Sequence, residues 1–377
     1  MRRREFIGRS GLIGAAASTF FGRRSSAQSL SKRPVIAWAG APPAGTPAGT
    51  NVPQFILDLA FGNFAKGLSD FGYVQGRNVD VIKRFDMFAD RVPTMEEMVA
   101  LVKPDIIVAP STLEAVAARK ATSTIPVVCA ALADAVHLGL IASDARPGGN
   151  VTGIEPYIAG LPTKQIELAR EIAPMARSVG LLTNKVDPKG PPQVGDLRTA
   201  CQSLGFSVVE ADANTPNEIP GALAALANEK VDVVVVLQTS LFLVRCEQIG
   251  AVALEERLRT VFGYREHVIH DGLVSYGVDL RWCFRRVGYF VDKILRGVRC
   301  GDLPIEFPTK FWLAANLNTA KALGINLPAG LLARADEVIE QRQMLRWMTP
   351  EMAHRLRSAG APTCRLRGVG RKFAVEC

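Results

Sequence analysis

The chain has 377 residues, 48% of them hydrophobic, and a formal net charge of +9. That charge is concentrated at the ends: residues 1–27 contribute +5 and residues 341–377 contribute +6, which leaves the body at about −2. A body so charged lacks the basic face that phosphate backbones require, so nucleic acid is excluded as a partner, and some 310 residues of body predict two domains.

In chain order, the first signal is MRRREFIGRSGLIGAAASTFFGRRSSA. Arg3-Arg4 followed by Glu5-Phe6-Ile7, an apolar run from Gly11 to Phe21 and the small-residue exit Ser25-Ser26-Ala27 read as a twin-arginine export signal for residues 1–27. The run is shorter than the ~20 residues that span a bilayer. The reading implies the Tat export machinery as a partner, cleavage after Ala27 and a periplasmic location. The seven cysteines (Cys129, Cys201, Cys246, Cys283, Cys300, Cys364 and Cys377) show no CxxC spacing, and an odd count leaves at least one unpaired. Most read as small buried residues.

From Pro34 onward, short β-branched runs alternate with amphipathic segments, the signature of an α/β fold with parallel sheets. PVIAWA is the first strand, with Trp38 in the core. Leu57, Phe61, Phe64, Leu68 and Phe71 then mark one helix face, which Gly72 ends. VDVIKRF, PTMEEMVALVK, DIIVAP, TLEAVAARKAT and IPVVCAAL continue the alternation, and their nearly unbroken apolar strands predict sheets covered on both faces. Turn residues at Arg146-Pro147-Gly148-Gly149-Asn150 end the first series, and a second opens at VTGIE and runs to RTVFGY. The expectation is two Rossmann-like doubly wound lobes. After Gly272, LVSYGV, a helix with Leu280, Cys283, Val287, Phe290 and Ile294 on one face, and PTKFWLAANL are left over, so the chain is predicted to return to each lobe through hinge crossovers. The predicted boundaries are 34–150 plus 276–305 for one lobe and 151–275 plus 306–340 for the other. Residues 341–377, rich in arginine and proline, read as a poorly ordered basic extension.

Catalytic motifs are absent. The sequence has no GxxxxGK[ST] loop, no GxGxxG between strand and helix and no GxSxG elbow. His267 and His270 in REHVIHDG lack a completing ligand and read as surface loop residues; no metal and no cofactor is expected. What the sequence offers is small polar groups at strand ends, where open α/β sheets bind ligands. Ser111 and Thr112 follow DIIVAP, Asp134 follows IPVVCAAL, Asn184 follows SVGLLT, and Thr239 and Ser240 follow VDVVVVLQ. Each also suits a helix cap. Tyr264, Glu266 and Tyr276 flank the predicted crossing, where an aromatic wall and a carboxylate suit a ligand with an amine, or simply pack the hinge.

The stretches FAKGLSDFGYVQGRNV, ATSTIPVV, HLGLIASDARPGGNVTG, GLVSYGVDL, VGYFVDKILRG, PTKFWLAANLNTAKALGINLP and LLARADEVIE resemble the periplasmic substrate-binding proteins of ABC transporters, in the family with tryptophan- and tyrosine-binding members. The resemblance covers about Pro34 to Glu340 and implies a type I periplasmic binding protein with three crossovers. It places ligand contacts at Ser111, Thr112, Asp134, Asn184, Thr239, Ser240 and Tyr276-Gly277. This chain departs from the family pattern at Ala133-Asp134-Ala135, where relatives read Gly-Asp-Pro, and at Asn184-Lys185, where they read Asn-Pro.

The leading expectation is therefore an exported protein that captures a small molecule, with an amino acid or small carboxylate favoured, and hands it to an ABC permease driven by separate ATPase subunits. A ligand sensor feeding a receptor is the alternative, and an α/β enzyme using the same cleft is the weaker one.

Overall fold

The computed structural model describes residues 33–40, 52–84, 91–158, 160–340, 365–369 and 372–376. The chain divides into Met1–Arg33 and Pro34–Cys377. Residues 1–27, expected from the sequence to be an export signal, most of the segment 41–53 and residues 341–364 lie outside the described residues.

Two sheets organise the body. The first is built from β1 (Val35–Ala39), β2 (Asp80–Arg84), β3 (Ile106–Ala109), β4 (Val127–Cys129) and β5 (Val151–Gly153), all parallel, in the order β2-β1-β3-β4-β5. Side chains alternate across it: Ile36, Trp38, Ile106 and Val108 enter the core on one face, and Ala37, Ala39, Ile107 and Ala109 the core on the other. With both faces covered, the strands must be apolar throughout, which is the sequence pattern observed.

The second sheet contains β6 (Ser178–Thr183), β7 (Ser207–Asp212), β8 (Val233–Val236), β9 (Thr260–Phe262), β10 (Val274–Val278), β11 (Phe311–Asn316) and β12 (Glu337–Ile339), in the order β12-β11-β10-β9-β8-β6-β7. Its described pairings are parallel except β10 with β11. Val151–Gly153, at the head of the second series in the sequence, is thus the last strand of the first sheet, and Val274–Val278 belongs to the second. Periodicity marks a segment as strand without saying which sheet edge receives it.

The helix Leu280–Leu295 returns to the first lobe. Leu280, Cys283, Phe284, Val287, Phe290 and Val291 pack against Trp38, Phe64 and Leu68. It lies so close to the helix Asn63–Asp70 that a Cβ on Gly288 would stand 2.3 Å from the Gly67 carbonyl carbon.

The chain crosses between lobes three times, after β5, after β10 and before β11. The first and third crossings run side by side: Glu155 N–H donates to Glu306 O at 2.9 Å, and Glu306 N–H donates to Gly153 O at 3.0 Å. The Arg286 guanidinium forks onto the Glu306 carboxylate, both bonds 2.7 Å, and pins this pair to the returning helix.

In the tail, where the sequence predicts no ordered element, β13 (Arg365–Val369) and β14 (Lys372–Glu376) pair antiparallel. No helix among the described residues is long and apolar enough to cross a membrane.

Candidate functional site

Both sheets reverse their winding, the first between β1 and β3, the second between β6 and β8. Ligands of open parallel sheets sit beyond the carboxyl ends of strands at such a reversal. β3 delivers Ser111 to the N-cap of the helix Thr112–Ala121 in extended conformation. The Ser111 hydroxyl donates to the Glu114 carboxylate, and the Thr112 hydroxyl donates to Ala131 O at 3.1 Å. Asp134 takes a left-handed turn with φ 52°, which aims its N–H at the Glu155 carboxylate, 3.2 Å away. Partial burial pushes the Glu155 carboxyl up to about 6 against that hydrogen bond.

The second reversal carries a denser network. Asn184 donates from Nδ2 to Ala213 O at 3.0 Å and accepts at Oδ1 from the Asp187 N–H at 2.9 Å. Asp187 accepts from the Lys189 N–H at 3.0 Å and the Ser240 N–H at 2.9 Å. Thr239 caps the turn that follows by accepting from the Phe242 N–H at 3.3 Å. Asp187, a residue the sequence did not single out, therefore joins Asn184 to Ser240, next to Thr239 in the chain.

Tyr264 leaves β9 in the second sheet, yet its side chain is 3% exposed and packs in the core of the first lobe with Trp38, Cys283 and Phe284. Burial pushes its phenol up to about 12. Glu266, two residues on, is buried with Oε2 lacking a partner, and burial raises its pKa. Tyr276 lies elsewhere: half-buried, it stacks on Phe311 at 5.6 Å and adjoins Lys164 on the helix Leu161–Ile172. Gly277 is a close approach of strands, since a Cβ there would stand 1.9 Å from Gly263 O.

Sequence reading also missed Lys189. It sits at the N-cap of the helix Gly190–Ser203 with only 4% of its surface exposed. Burial, the largest influence, disfavours its charged form, but the Tyr264 phenol and the Asp187 and Glu114 carboxylates outweigh it and raise its pKa. Its charge also acts on Cys129, Glu155 and Cys283. Lys189 thus belongs to the second lobe, while the groups its charge acts on include Cys129 and Glu155. A lysine between Pro188 and Gly190 carries no sequence signal of burial.

The histidine expectation is corrected. His267 is not a surface residue: it is 1% exposed, stacks on Phe262 at 4.5 Å, and holds Phe242 O at 3.1 Å through Nε2. A carbonyl only accepts, so Nε2 carries the proton. Burial lowers its pKa to about 3. The five described cysteines are free and buried, their thiols pushed up by burial, Cys129 and Cys300 to about 12. Among the described residues no group of three His, Cys, Asp or Glu could hold a metal.

Residues 52–339 match the family described as ABC transporter substrate binding protein. A curated relative, the tyrosine-binding protein of Clostridioides difficile (strain R20291), is 30% identical over 270 residues, covering 71% of this chain and 77% of the relative. Among solved structures, the ABC domain in complex with L-Trp from Streptococcus pneumonia superimposes with a TM-score of 0.72 at 22% identity, over 82% of this chain and all of the other. A ligand-free, open substrate binding protein with adhesive properties from Clostridium difficile gives 0.58 at 27% identity, over 82% of this chain and all of the other.

Proposed function

The chain belongs to the family of ABC transporter substrate-binding proteins, not enzymes, and from that premise we propose that it is exported and captures an amino acid between its two lobes for delivery to a membrane permease. Strands β1–β5 with the helix Leu280–Leu295 make one jaw, and strands β6–β12 the other. Ser111, Thr112 and Asp134 on the first and Asn184, Thr239 and Ser240 on the second face the ligand, with Tyr264 and Glu266 at the junction. The twin-arginine leader addresses the chain to the Tat machinery, cleavage follows Ala27, and the ATPase is a separate subunit.

The observation that carries this reading is that each sheet has one winding reversal, where open parallel sheets bind their ligands, and that Tyr264 of the second lobe is buried in the core of the first. Closure that buries groups from both jaws makes binding and lobe position one equilibrium, which a ligand shifts by its differential affinity. The relatives that bind tyrosine and L-Trp support an amino-acid cargo. Thermal unfolding against amino acids, aromatic acids, other carboxylates and sugars tests it: at a hundredfold excess over Kd, a true ligand adds about 2.7 kcal/mol. A rise in midpoint confined to amino acids is expected, and a rise confined to sugars overturns the cargo.

A further inference from the structure

The helical run that follows β1, from Gln54 to Asp70, belongs to the first lobe: Phe61 and Phe64 pack on Trp38 with ring centroids 5.5 and 5.1 Å away. Its first turn carries Phe55 and is set off from that anchored part by a π turn, Asp58–Gly62, a rare distortion that is frequent at functional sites. Here the first lobe reaches the second. The Phe55 ring centroid stands 4.9 Å from that of His270, with 46° between the planes. His270 is built into its own lobe: its N–H donates to His267 O at 3.1 Å, and the helix Cys246–Glu255 lies so close that a Cβ on Gly250 would stand 1.7 Å from His270 O. The Thr319 hydroxyl holds the next carbonyl, Asp271 O, at 3.1 Å. Each ring is thus fixed to one lobe, and their contact bridges the two.

Several titratable groups face His270. Glu247, on the helix Cys246–Glu255, places Oε1 3.4 Å from Nδ1; the His270 side chain is 18% exposed and that of Glu247 62%. Asp271 and His267 act on it from its own turn. On the helix that brings Phe55, the Asp58 carboxylate accepts from Gln54 Nε2 at 2.8 Å. Burial lowers the His270 pKa and outweighs Glu247 and Asp271, which act to raise it.

We propose that Phe55 and His270 form a proton-sensitive latch between the lobes, closed while the imidazole is neutral and released when it is protonated. A neutral imidazole gives Phe55 an apolar face to cover. An imidazolium must be hydrated or paired, and Glu247, exposed over most of its surface, is a screened partner. Parting the lobes lifts Phe55 away and lets water reach the ring. The proton therefore favours the open arrangement, and by linkage a ligand that closes the lobes binds less tightly in acid. The inference rests on the capture reading and adds to it a control of closure by pH, placed outside the polar residues at the strand ends.

The test is calorimetric titration of the full chain with L-tyrosine and L-tryptophan at about pH 7.5 and about pH 5.5, either side of the ordinary imidazole value. Wild-type affinity should fall several-fold more across that interval than the affinity of His270→Gln, with a ceiling of about tenfold per pH unit for one proton. Groups other than His270 titrate alike in both proteins, so the difference isolates this ring. Phe55→Ala should bind more weakly at the upper pH and lose most of the extra pH dependence; Phe55→Leu replaces it if the alanine variant does not fold. The same pH dependence in wild type and His270→Gln overturns the inference and leaves the capture reading standing. So does a Phe55 variant that weakens binding equally at both pH values, because that is the behaviour of a plain ligand contact. If neither amino acid binds at either pH, the aromatic amino-acid cargo falls, and small-angle scattering of the chain alone decides the latch. Expansion on acidification that His270→Gln lacks supports it, and equal profiles overturn it.

Discussion

Gln193 and Gln238 grip each other at the carboxyl end of β8: Gln193 Oε1 accepts from the Gln238 N–H at 2.8 Å, and Gln193 Nε2 donates to Gln238 O at 3.1 Å. A side-chain amide here does what a neighbouring strand would do, because β8 ends at Val236 and Gln238, two residues on, still has polar backbone to satisfy. Gln238 extends the chain of bonds by donating from Nε2 to Gly263 O at 2.9 Å.

Gln193→Leu keeps the volume and removes both bonds to Gln238 and the one to Lys189 O. Buried backbone groups left without partners cost about 1–3 kcal/mol. Chemical denaturation should show a loss of about 2 kcal/mol, and ligand affinity should fall with it, since the Lys189 and Thr239 turns share this brace. Unchanged stability would mean that water replaces the amide.

Tyr264→Ala removes an aromatic ring that the second lobe inserts into the core of the first. Aromatic-to-alanine changes in cores cost about 3–5 kcal/mol. A loss of that size is expected in denaturant unfolding, whereas Tyr276→Ala, at a half-buried ring stacked on Phe311, should cost less. Equal losses would show that the Tyr264 site collapses without a cavity.

His267 gives stability a dependence on pH. Its pKa is lowered from 6.5 to about 3 by burial, so the native state holds fewer protons than the unfolded state between those values. Its contribution is complete above pH 6.5 and is lost as pH falls through that window, at up to about 1.4 kcal/mol per unit. His267→Gln, which can still donate to Phe242 O, should flatten the slope by one proton in urea titrations across that range.

Glu155 acts in the opposite sense. Burial raises its pKa from 4.5 to about 6, so the native state holds more protons across that interval and stability falls as pH rises through it. Glu155→Gln should gain on the wild type between those two pH values and keep a constant difference above them. A difference constant throughout would place the Glu155 pKa at its ordinary value.

Gly288→Ala sets a Cβ 2.3 Å from the Gly67 carbonyl carbon and 2.4 Å from its oxygen. Backbone cannot swing aside as a side chain can, so the helix Leu280–Leu295 must back away from Asn63–Asp70. Overpacking of this kind costs about 1–3 kcal/mol, to be read as a lowered unfolding midpoint. Gly330→Ala, with open space at its Cβ position, is the control.

The sequence by itself determined the local alternation and the residues at the strand ends. Runs such as DIIVAP and VDVVVVLQ are apolar throughout because both sheet faces are covered, and Ser111, Asn184 and Thr239 follow them because strands end where polar groups begin. The returning helix was legible in Leu280, Cys283, Val287 and Phe290 for the same reason: periodicity is a property of one segment. Only the tertiary structure decided that Val151–Gly153 closes the first sheet and that Val274–Val278 joins the second, since a strand's partner is fixed by edges far away in sequence. It also decided that Lys189, Tyr264 and His267 are buried. Tyr264 is covered by the core of the first lobe and His267 holds the Phe242 carbonyl 25 residues away, and a residue's solvation, hence its charge and its use, depends on what finally packs over it.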